Sequence, residues 1–426
     1  MKIGILGAGV SGLSCGFKLR EAGFQDITIL EKEPVIGGLA ASSVIDGYVF
    51  DLHGGHVFNS KDEQIKDWVF SLLHRKRWKQ QQRIAKILYK GRIINYPFEF
   101  SLSELDEDEA IDCLVDFLSP KSPRRPSDYY NWLRWRFGDA IAFKYMIPYN
   151  QKIWGNNLRQ IGIDWVEGKM PLPSARQIIT SVVKKAPEEK DMPHATFYYP
   201  LKGGIQTLIN AIAKGLGRDI ITGYKVERIE KSGKRFVING EYKFDLVIST
   251  ICLQDLVSGI AESPSRVRLA AGRLNSCILT TTLCKCSPNN ISWLYIPDKD
   301  IRTHRLVFQG SFSRFNCPKD AGSSVVLETV GRIDPQAQVK EFNRKQKIPE
   351  LKAGDIIASS ESYAYILYDR SHARNLKIVN EYLDSYGVIR VGRFAERKYY
   401  NMDVCMRSAF DAVGRIVNKY GRKKVN

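Results

Sequence analysis

The sequence lacks any long apolar segment. No apolar run approaches the 18 or so residues needed to cross a bilayer, so we expect no membrane insertion. The opening residues, MKIGILGAGVSG, are interrupted by glycines and are typical of a strand entering a turn rather than of a signal peptide. Internal repeats and low-complexity tracts are also missing, which argues against a solenoid or a linker-rich chain. We therefore expect a cytoplasmic globular protein.

Clustered cysteines are also lacking. The chain has eight cysteines, and they are scattered through apolar or irregular segments. Only Cys284 and Cys286 are close, and in a strand that spacing merely places both side chains on one face. We predict free thiols, without structural disulfides and without a metal site.

Acidic residues are the minority among the charged ones. Lysine and arginine total 64 against 46 aspartates and glutamates, a net charge of +18, which favours an anionic partner. The basic residues are spread along the chain, so we expect no nucleic-acid partner and favour a phosphorylated small molecule. At 426 residues the chain is long enough for two or three domains.

What is present is a dinucleotide-binding pattern at the N-terminus. The apolar stretch 2–7 predicts a strand, GAGVSG predicts a loop entering a helix, and residues 26–31 predict a second strand. Gly7 suits the tight turn, Gly9 lets the backbone approach a pyrophosphate, and Gly12 permits close helix–strand packing. Glu31, at the end of the second strand, can accept hydrogen bonds from a ribose. The pattern therefore predicts a bound dinucleotide.

Two later segments favour FAD over NAD as that dinucleotide. The doublet Gly37–Gly38 follows the acidic strand, as is common in flavin enzymes of the glutathione-reductase and amine-oxidase type, and residues 224–250 predict strands that return to the first domain. We predict an α/β fold: a discontinuous Rossmann-like FAD-binding domain, an inserted helical domain and an antiparallel β-sheet domain. The predicted bounds are 1–75, 196–262 and 386–426 for the FAD-binding domain, 101–195 for the helical domain, and 76–100 and 263–385 for the sheet domain.

Six separated motifs carry a family resemblance. They are GGHVF (54–58), QRIAKILYKGRIINYPFEFSL (82–102), MIPYNQKIWG (146–155), WLYIPDKDIRTHR (293–305), YAYILY (363–368) and VGRFAERKYYNMD (391–403). Over nearly its whole length the chain resembles the flavin-dependent UDP-galactopyranose mutases. Two positions depart from the family pattern: Glu99 stands where a glutamine contacts uracil, and Lys169 stands where eukaryotic members carry a substrate arginine.

The resemblance implies a set of site residues. The implied catalytic residues are His56, Arg305 and Arg393. The implied substrate-binding residues are Tyr96, Phe98, Asn150, Trp154, Lys169, Trp293, Tyr295, Tyr365, Tyr399 and Asn401. The implied cofactor-binding residues are Gly7, Gly9, Gly12, Glu31, Gly38, Gly55, His56, Arg83, Val226, Gly392, Met402 and Asp403. Arginine forks and tyrosine hydroxyls suit a diphosphate, while aromatic faces suit a base and a sugar.

The activity implied by the resemblance is the interconversion of UDP-galactopyranose and UDP-galactofuranose. N5 of reduced FAD would attack the anomeric carbon, and the sugar ring would open and reclose while attached to the flavin. NAD(P)H or another reductant would first reduce the flavin. The alternatives are the same ring contraction on another nucleotide sugar, an amine-oxidase-type oxidoreductase, and a non-catalytic nucleotide-sugar-binding flavoprotein. A homo-oligomer is left open.

Several of these residues also have a purely structural interpretation. Trp293 and Tyr295 could be neighbours on one buried strand face, and Arg305 and Arg393 could form surface ion pairs. Asn150 and Trp154 could serve as helix cap and core, and Asp403 could cap the last helix. The resemblance gives no role to Arg302 or His304, and we expect both side chains in solvent.

Overall fold

The computed structural model describes residues 1–155, 157–166, 170, 173–185, 195–345 and 350–421, and of 353–360 and 362 it describes the backbone alone. The strands are β1 (Ile3–Leu6), β2 (Ile27–Leu30), β3 (Ser42–Ile45), β4 (Tyr48–Asp51), β5 (Trp78–Gln82), β6 (Ala85–Tyr89), β7 (Arg92–Asn95), β8 (Thr196–Pro200), β9 (Ile220–Ile221), β10 (Ile229–Ser232), β11 (Arg235–Ile238), β12 (Tyr242–Phe244), β13 (Leu246–Ser249), β14 (Ser276–Cys286), β15 (Trp293–Tyr295), β16 (Arg305–Val307), β17 (Ser323–Val330), β18 (Leu351–Ile366) and β19 (Ile389–Arg390).

Helices alternate with these strands and also form a block of their own between β7 and β8. They are α1 (Val10–Glu21), α2 (Glu63–Leu72), α3 (Glu107–Leu118), α4 (Tyr129–Ile141), α5 (Ile147–Trp154), α6 (Ala175–Lys184), α7 (Gln206–Ala213), α8 (Leu253–Gly259), α9 (Ser265–Gly272), α10 (Gln309–Phe312), α11 (Pro335–Lys345), α12 (His372–Tyr386), α13 (Gly392–Ala395) and α14 (Met402–Tyr420). One turn of π-helix, Ala142–Met146, joins α4 to α5.

A parallel sheet organises the half of the molecule that contains the N-terminal glycine loop. Its strand order is β19-β13-β1-β2-β9, so three distant parts of the chain share one sheet. Every residue of β1 is buried, as expected for a parallel strand covered on both faces. The loop from β1 into α1 lies at the carboxyl end of this central strand, where open α/β sheets bind their ligands.

A second, larger sheet has the order β18-β14-β17-β16-β15-β6-β7. Its neighbours are antiparallel except for β15 and β6, which run parallel with Trp293 opposite Ala85. The first part of the chain thus supplies β6 and β7 to a sheet built mostly from residues 276–366. The predicted fold class, with a Rossmann-like parallel sheet, helices and an antiparallel sheet, is confirmed.

The helical segment between the sheets begins where the sequence places its acidic residues. Glu107, Asp108 and Glu109 occupy the first turn of α3, where negative charge is favourable. The carboxylate of Asp128 caps α4 by accepting from the Asn131 amide at 3.0 Å. Helix α5 then packs against β17 of the larger sheet. Among the described residues, no helix is both long and apolar enough to span a bilayer.

Candidate functional site

One large cavity lies between the two sheets. Its volume is about 910 Å³, near the top of the range for ligand sites. It runs from the loop after β1 to the strands β15 and β16. Many of the residues implied by the resemblance line it: Gly7, Gly9, Glu31, Gly38, Gly55, His56, Arg83, Val226, Trp293, Tyr295, Arg305, Tyr365, Arg393, Tyr399, Asn401 and Met402. The fold therefore brings together residues that are far apart in sequence.

The carboxylate of Glu31 is fixed at one end of this cavity. One oxygen accepts from the backbone amide of Ala8 at 2.7 Å, and the other accepts from the amide of Glu33 at 2.9 Å. The side chain lies at the end of β2, beside the glycine loop, and is buried. This geometry suits a carboxylate that accepts hydrogen bonds from a ribose.

The glycines around this end leave room that a side chain would fill. A Cβ on Gly12 would collide with the carbonyl oxygen of Gly7, so only glycine lets α1 start so close to β1. Gly9 runs beside Gly37, and the Gly37 amide donates to the Ala8 carbonyl at 2.9 Å. The loop ends at the N-terminus of α1, whose dipole favours a phosphate. These residues fit a nucleotide cofactor.

A second helix N-terminus faces the same cavity. Helix α14 begins with Asn401 at its N-cap and Met402 as its first residue, and both line the cavity. Asp403 lies in the first turn of α14, and its buried Oδ1 has no hydrogen-bond partner among the described residues. Gly392 lies under α1, where a Cβ would meet the Ser11 hydroxyl. Gly12, Gly392 and Asp403 thus support the wall without lining it.

The His53–His56 loop forms the middle of the cavity. The Nδ1 of His56 donates to the Gly54 carbonyl at 2.8 Å, and the His56 amide donates to Asp51 Oδ2 at 3.3 Å. Burial lowers the pKa of His56 to about 4, so its imidazole is neutral at neutral pH. Burial also raises the pKa of Asp51 to about 6, against hydrogen bonds from Ser42 and Tyr199. Asp51, which the sequence analysis missed, therefore anchors this loop.

Arg83 lies within an aromatic cluster beside β6 and β15 of the larger sheet. Its guanidinium is 5.4 Å from the ring centre of Tyr96 and 5.2 Å from that of Trp293, and it donates to the Tyr295 hydroxyl. Tyr96 stacks on Tyr295 with ring centres 4.8 Å apart. Tyr96 is thus a support behind the cavity, while Arg83, Trp293 and Tyr295 reach its surface.

Arg305 is held by a buried carboxylate that the sequence analysis also missed. Glu328 Oε2 accepts from Arg305 Nε at 3.0 Å and from Nη2 at 2.6 Å, and Tyr365 donates to the same oxygen at 3.3 Å. Burial alone would raise the pKa of Glu328, but the Arg305 charge outweighs it and, with His304, lowers that pKa to about 2. A lone glutamate inside the apolar strand SSVVLETV was the signal, since carboxylates are almost never buried unpaired.

Arg393 occupies the opposite wall. Its Nη2 donates to the Ala364 carbonyl at 2.6 Å, and its guanidinium lies 4.2 Å from the ring centre of Tyr399. Tyr399 stacks with Tyr365 at 6.4 Å, which links this wall to Arg305 through Glu328. Two arginines and two tyrosines therefore surround one end of the cavity.

Four residues implied for substrate binding make protein contacts instead of lining the cavity: Tyr96, Phe98, Asn150 and Trp154. The Oδ1 of Asn150 accepts from Tyr129 and from the Trp154 indole, each at 3.0 Å, and its Nδ2 donates to the Met146 carbonyl at 2.8 Å. Phe98 is fully buried and stacks on Tyr145 with the rings 5.1 Å apart. Lys169 lies outside the described residues.

The prediction that both side chains lie in solvent is wrong for His304 and is confirmed for Arg302. Arg302 is exposed and pairs with Glu341 at 2.9 Å. The His304 side chain is 1% exposed, and its Nε2 lies 3.6 Å from Glu328 Oε2. Successive strand residues face opposite sides, but His304 precedes β16, so its ring can lie on the same side as Arg305.

The arginines at the sheet end of the cavity favour an anion there. Arg83, Arg305 and Arg393 line that end, and Glu328 pairs with only one of them. Over the cavity as a whole the five basic lining residues are balanced by five acidic ones: Glu31, Glu33, Glu227, Asp255 and Glu361. In the described part of the chain, no group of three histidine, cysteine or carboxylate side chains is arranged to hold a metal. The arrangement can neutralise a diphosphate and hold aromatic or sugar rings beside it.

Comparisons with known proteins agree with this architecture. Residues 5–72 match the family model of the NAD(P)-binding Rossmann-like domain. The structure of reduced UDP-galactopyranose mutase superimposes with a TM-score of 0.88 at 22% identity, covering 98% of this chain and 94% of that one. A putative protoporphyrinogen oxidase from Exiguobacterium sp. 255-15 has a TM-score of 0.75 at 19% identity, covering 98% and 99%.

More distant oxidoreductases share the same fold. Cyclohexylamine oxidase from Brevibacterium oxydans superimposes with a TM-score of 0.66 at 14% identity, covering 99% of both chains. The similarity therefore extends over the whole described architecture and is greater for the mutase than for these two oxidases. This chain has the fold of UDP-galactopyranose mutase, built on an NAD(P)-binding Rossmann-like domain.

Proposed function

We propose that this protein is a flavin-dependent UDP-galactopyranose mutase, which interconverts UDP-galactopyranose and UDP-galactofuranose without net redox change. The observation that carries the proposal is the meeting of Arg305, Arg393, Tyr365 and Tyr399 in the cavity that also holds the glycine loop and Glu31. An amine oxidase would not require Arg305 and Arg393 at this position, because its substrate carries no phosphate. A nucleotide diphosphate has the two negative charges that match it.

In this proposal the cofactor is FAD, which supplies the nucleophile when it is reduced. The glycine loop and the N-terminus of α1 would hold its pyrophosphate, Glu31 its ribose, and the N-terminus of α14 its isoalloxazine end. His56 is neutral and hydrogen-bonded to Gly54, so it would contribute shape and a fixed backbone rather than charge. The predicted division into three domains and a cytoplasmic location belong to the same proposal.

The chain's own residues act on the leaving group. Arg305 and Arg393 would bind the diphosphate and stabilise the negative charge that develops as the anomeric bond breaks. Trp293 and Tyr295 present rings beside the space that the sugar would occupy. Because Arg305 is already oriented by Glu328, this stabilisation requires little rearrangement during the reaction.

The test is product formation from UDP-galactopyranose. Protein reduced with dithionite should produce UDP-galactofuranose, separable by anion-exchange chromatography, whereas the oxidised protein should not. Absence of the furanose with a reduced, FAD-loaded protein that still binds UDP would refute the mutase activity and leave a nucleotide-sugar-binding flavoprotein. Formation of hydrogen peroxide with substrate-driven bleaching of the flavin would instead indicate an oxidase.

The departure from the family pattern at Glu99, which does not line the cavity, keeps another nucleotide sugar as the alternative substrate. Glu99 stands where the resemblance expects a uracil-binding glutamine; it is 1% exposed, and its Oε2 has no hydrogen-bond partner among the described residues. Burial raises the pKa of Glu99 to about 7, so its carboxyl group can donate as well as accept. We therefore include ADP-, GDP- and dTDP-sugars in the assay. A higher kcat/KM for one of these would move the proposal to the same chemistry on that nucleotide sugar.

A further inference from the structure

His304 is a buried histidine that the proposed reaction does not use directly. It does not line the cavity, and neither ring nitrogen has a hydrogen-bond partner among the described residues. Burying an imidazole without hydrogen-bond partners costs free energy, and attraction to a neighbouring charge can offset that cost. One such charge is Glu328, whose Oε2 lies 3.6 Å from His304 Nε2.

Several other groups face the His304 ring. Arg305 and Glu328 lie on one side, and Lys152 approaches from α5. Tyr149, also on α5, has its ring centre 6.4 Å away, and Tyr365 on β18 lies at 6.2 Å. Burial lowers the pKa of His304, so the ring is neutral and has one N–H to direct. An N–H directed at Glu328 from 3.6 Å, just beyond hydrogen-bond distance, adds an electrostatic attraction to an oxygen that already accepts from Arg305 and Tyr365.

We propose that His304 is a positioning residue that holds Glu328 in place and thereby sets the direction of Arg305 and Tyr365. Glu328 occupies Nε and Nη2 of Arg305, and no hydrogen bond from Nη1 forms within the described residues. The guanidinium is therefore clamped on one edge, and its remaining nitrogen is left for an anion in the cavity. This inference rests on the proposed function, because it takes Arg305 as the diphosphate-binding side chain.

The orientation of the Arg305 guanidinium depends on the position of the Glu328 carboxylate. Arg305 and Glu328 are opposite each other on β16 and β17, so their backbones are already fixed. The side chain of Glu328 still has torsional freedom, and a Cβ on Gly54 would collide with its Oε1. Gly54 thus limits the carboxylate on one side and His304 limits it on the other. Loss of His304 should let Glu328 rotate, and Arg305 should follow it.

The experiment compares His304→Phe with His304→Gln. Phenylalanine keeps a flat ring but removes the N–H, whereas the Gln amide can place a donor near the Nε2 position. We expect His304→Phe to raise the Kd for UDP about fivefold, as for loss of one polar contact with a charged group, with normal FAD content, and His304→Gln to restore most of the affinity. His304→Leu gives a second variant if His304→Phe does not fold.

A double-mutant cycle with Glu328→Gln identifies the route. If His304 acts through Glu328, His304→Phe should cause no further loss of UDP affinity once Glu328 has been replaced. Unchanged UDP affinity in His304→Phe, or fully additive effects in the cycle, would overturn the inference. UDP bound without furanose formation would refute the mutase proposal alone, since the affinities still test the clamp. If wild-type protein binds neither UDP nor inorganic pyrophosphate, the clamp has no anion to direct and the inference fails.

Discussion

At the scale of single residues, Arg305 and Arg302 form a natural pair for comparison. They are three positions apart, but one lines the cavity on a buried carboxylate and the other pairs with Glu341 at the surface. Arg305→Ala should raise KM for UDP-galactopyranose and lower kcat, so that kcat/KM falls about 100-fold or more. The reason is that the variant lacks the positive charge that stabilises the leaving diphosphate. Arg302→Ala should change kcat/KM less than twofold.

Flavin absorbance and steady-state kinetics check this prediction. Both variants should retain FAD, because neither side chain lies at the glycine-loop end of the cavity. An Arg305→Ala protein that turned over at the wild-type rate would show that the diphosphate lies elsewhere.

His56 gives a pH prediction. Its pKa is about 4 in the folded protein and near 6.5 when unfolded, so the unfolded state binds more protons between these values. The contribution of His56 to stability is therefore full above pH 6.5 and is lost as the pH falls towards 4. The Tm difference between wild type and His56→Asn should shift against wild type between pH 7 and pH 5. Asp51, whose folded pKa is raised, has the opposite trend but is present in both proteins.

Differential scanning fluorimetry at fixed ionic strength measures that difference. The control is His74→Asn, because His74 is exposed at the surface. A Tm difference for His56→Asn that stayed constant across this pH range would mean that the imidazole has the same pKa in the folded and the unfolded protein.

Residue types were predictable from the sequence where a motif fixed both spacing and chemistry. The glycine loop, Glu31 and the two arginines belong to such motifs, and each reaches the cavity or its wall. Glu328 and Asp51 were missed because each is a single carboxylate at or near the end of an apolar strand, and only the fold shows what it faces. His304 was misplaced because its side depends on where β16 begins, a detail that alternation alone does not give.

At the scale of elements, two helix N-termini meet the cavity, and the start of α1 is the more tightly constrained. Gly12→Ala would push a methyl group into the Gly7 carbonyl and separate α1 from β1. We expect this variant to lose FAD or to be insoluble. Gly414→Ala makes the same change inside α14, where no atom lies within 4 Å of the added methyl, and should retain FAD with about 0.5–1 kcal/mol more stability.

The ratio of absorbance at 450 nm to that at 280 nm reports FAD content in both variants. Stoichiometric FAD in soluble Gly12→Ala would contradict the close approach described for this loop. A Gly414→Ala protein that lost FAD would show that α14 cannot tolerate an added methyl group even where space is open.

Element types followed from periodicity, but their partners did not. The strands predicted at 2–7 and 26–31 correspond to β1 and β2, and Asp403, which could cap the last helix, lies in the first turn of α14. The parallel pairing of β6 with β15 has no local signal, since hydrophobic alternation states which face is buried and not which strand lies alongside.

At the scale of the whole molecule, Lys152 joins the helical segment to the larger sheet. Its Nζ donates to the Ile296 carbonyl at 2.7 Å and to the Thr303 carbonyl at 3.1 Å, across the loop between β15 and β16. Burial lowers its pKa to about 7, and the neutral amine has two N–H donors for these two acceptors. Lys152 therefore fixes α5 beside the strands that carry Trp293, Tyr295 and Arg305.

Lys152→Met should loosen this joint. Between pH 7 and 10.5 the folded wild-type protein binds fewer protons than the unfolded chain, so its stability rises with pH in that window. The Tm advantage of wild type over Lys152→Met should be larger at pH 9 than at pH 7. Lys225→Met, at an exposed lysine, provides the control. Equal Tm differences at the two pH values would mean that Lys152 keeps its proton in the folded protein.

The parallel junction of β6 with β15 also has a consequence during synthesis. Strand β6 leaves the ribosome about two hundred residues before β15 does, which corresponds to roughly 10–40 seconds of translation. Throughout that interval the hairpin of β6 and β7 offers an unpaired edge to any other nascent or unfolded chain. We therefore expect the growing polypeptide to need protection from aggregation until its last third emerges, and removing β18 or α14 by truncation should yield aggregates rather than a smaller working protein.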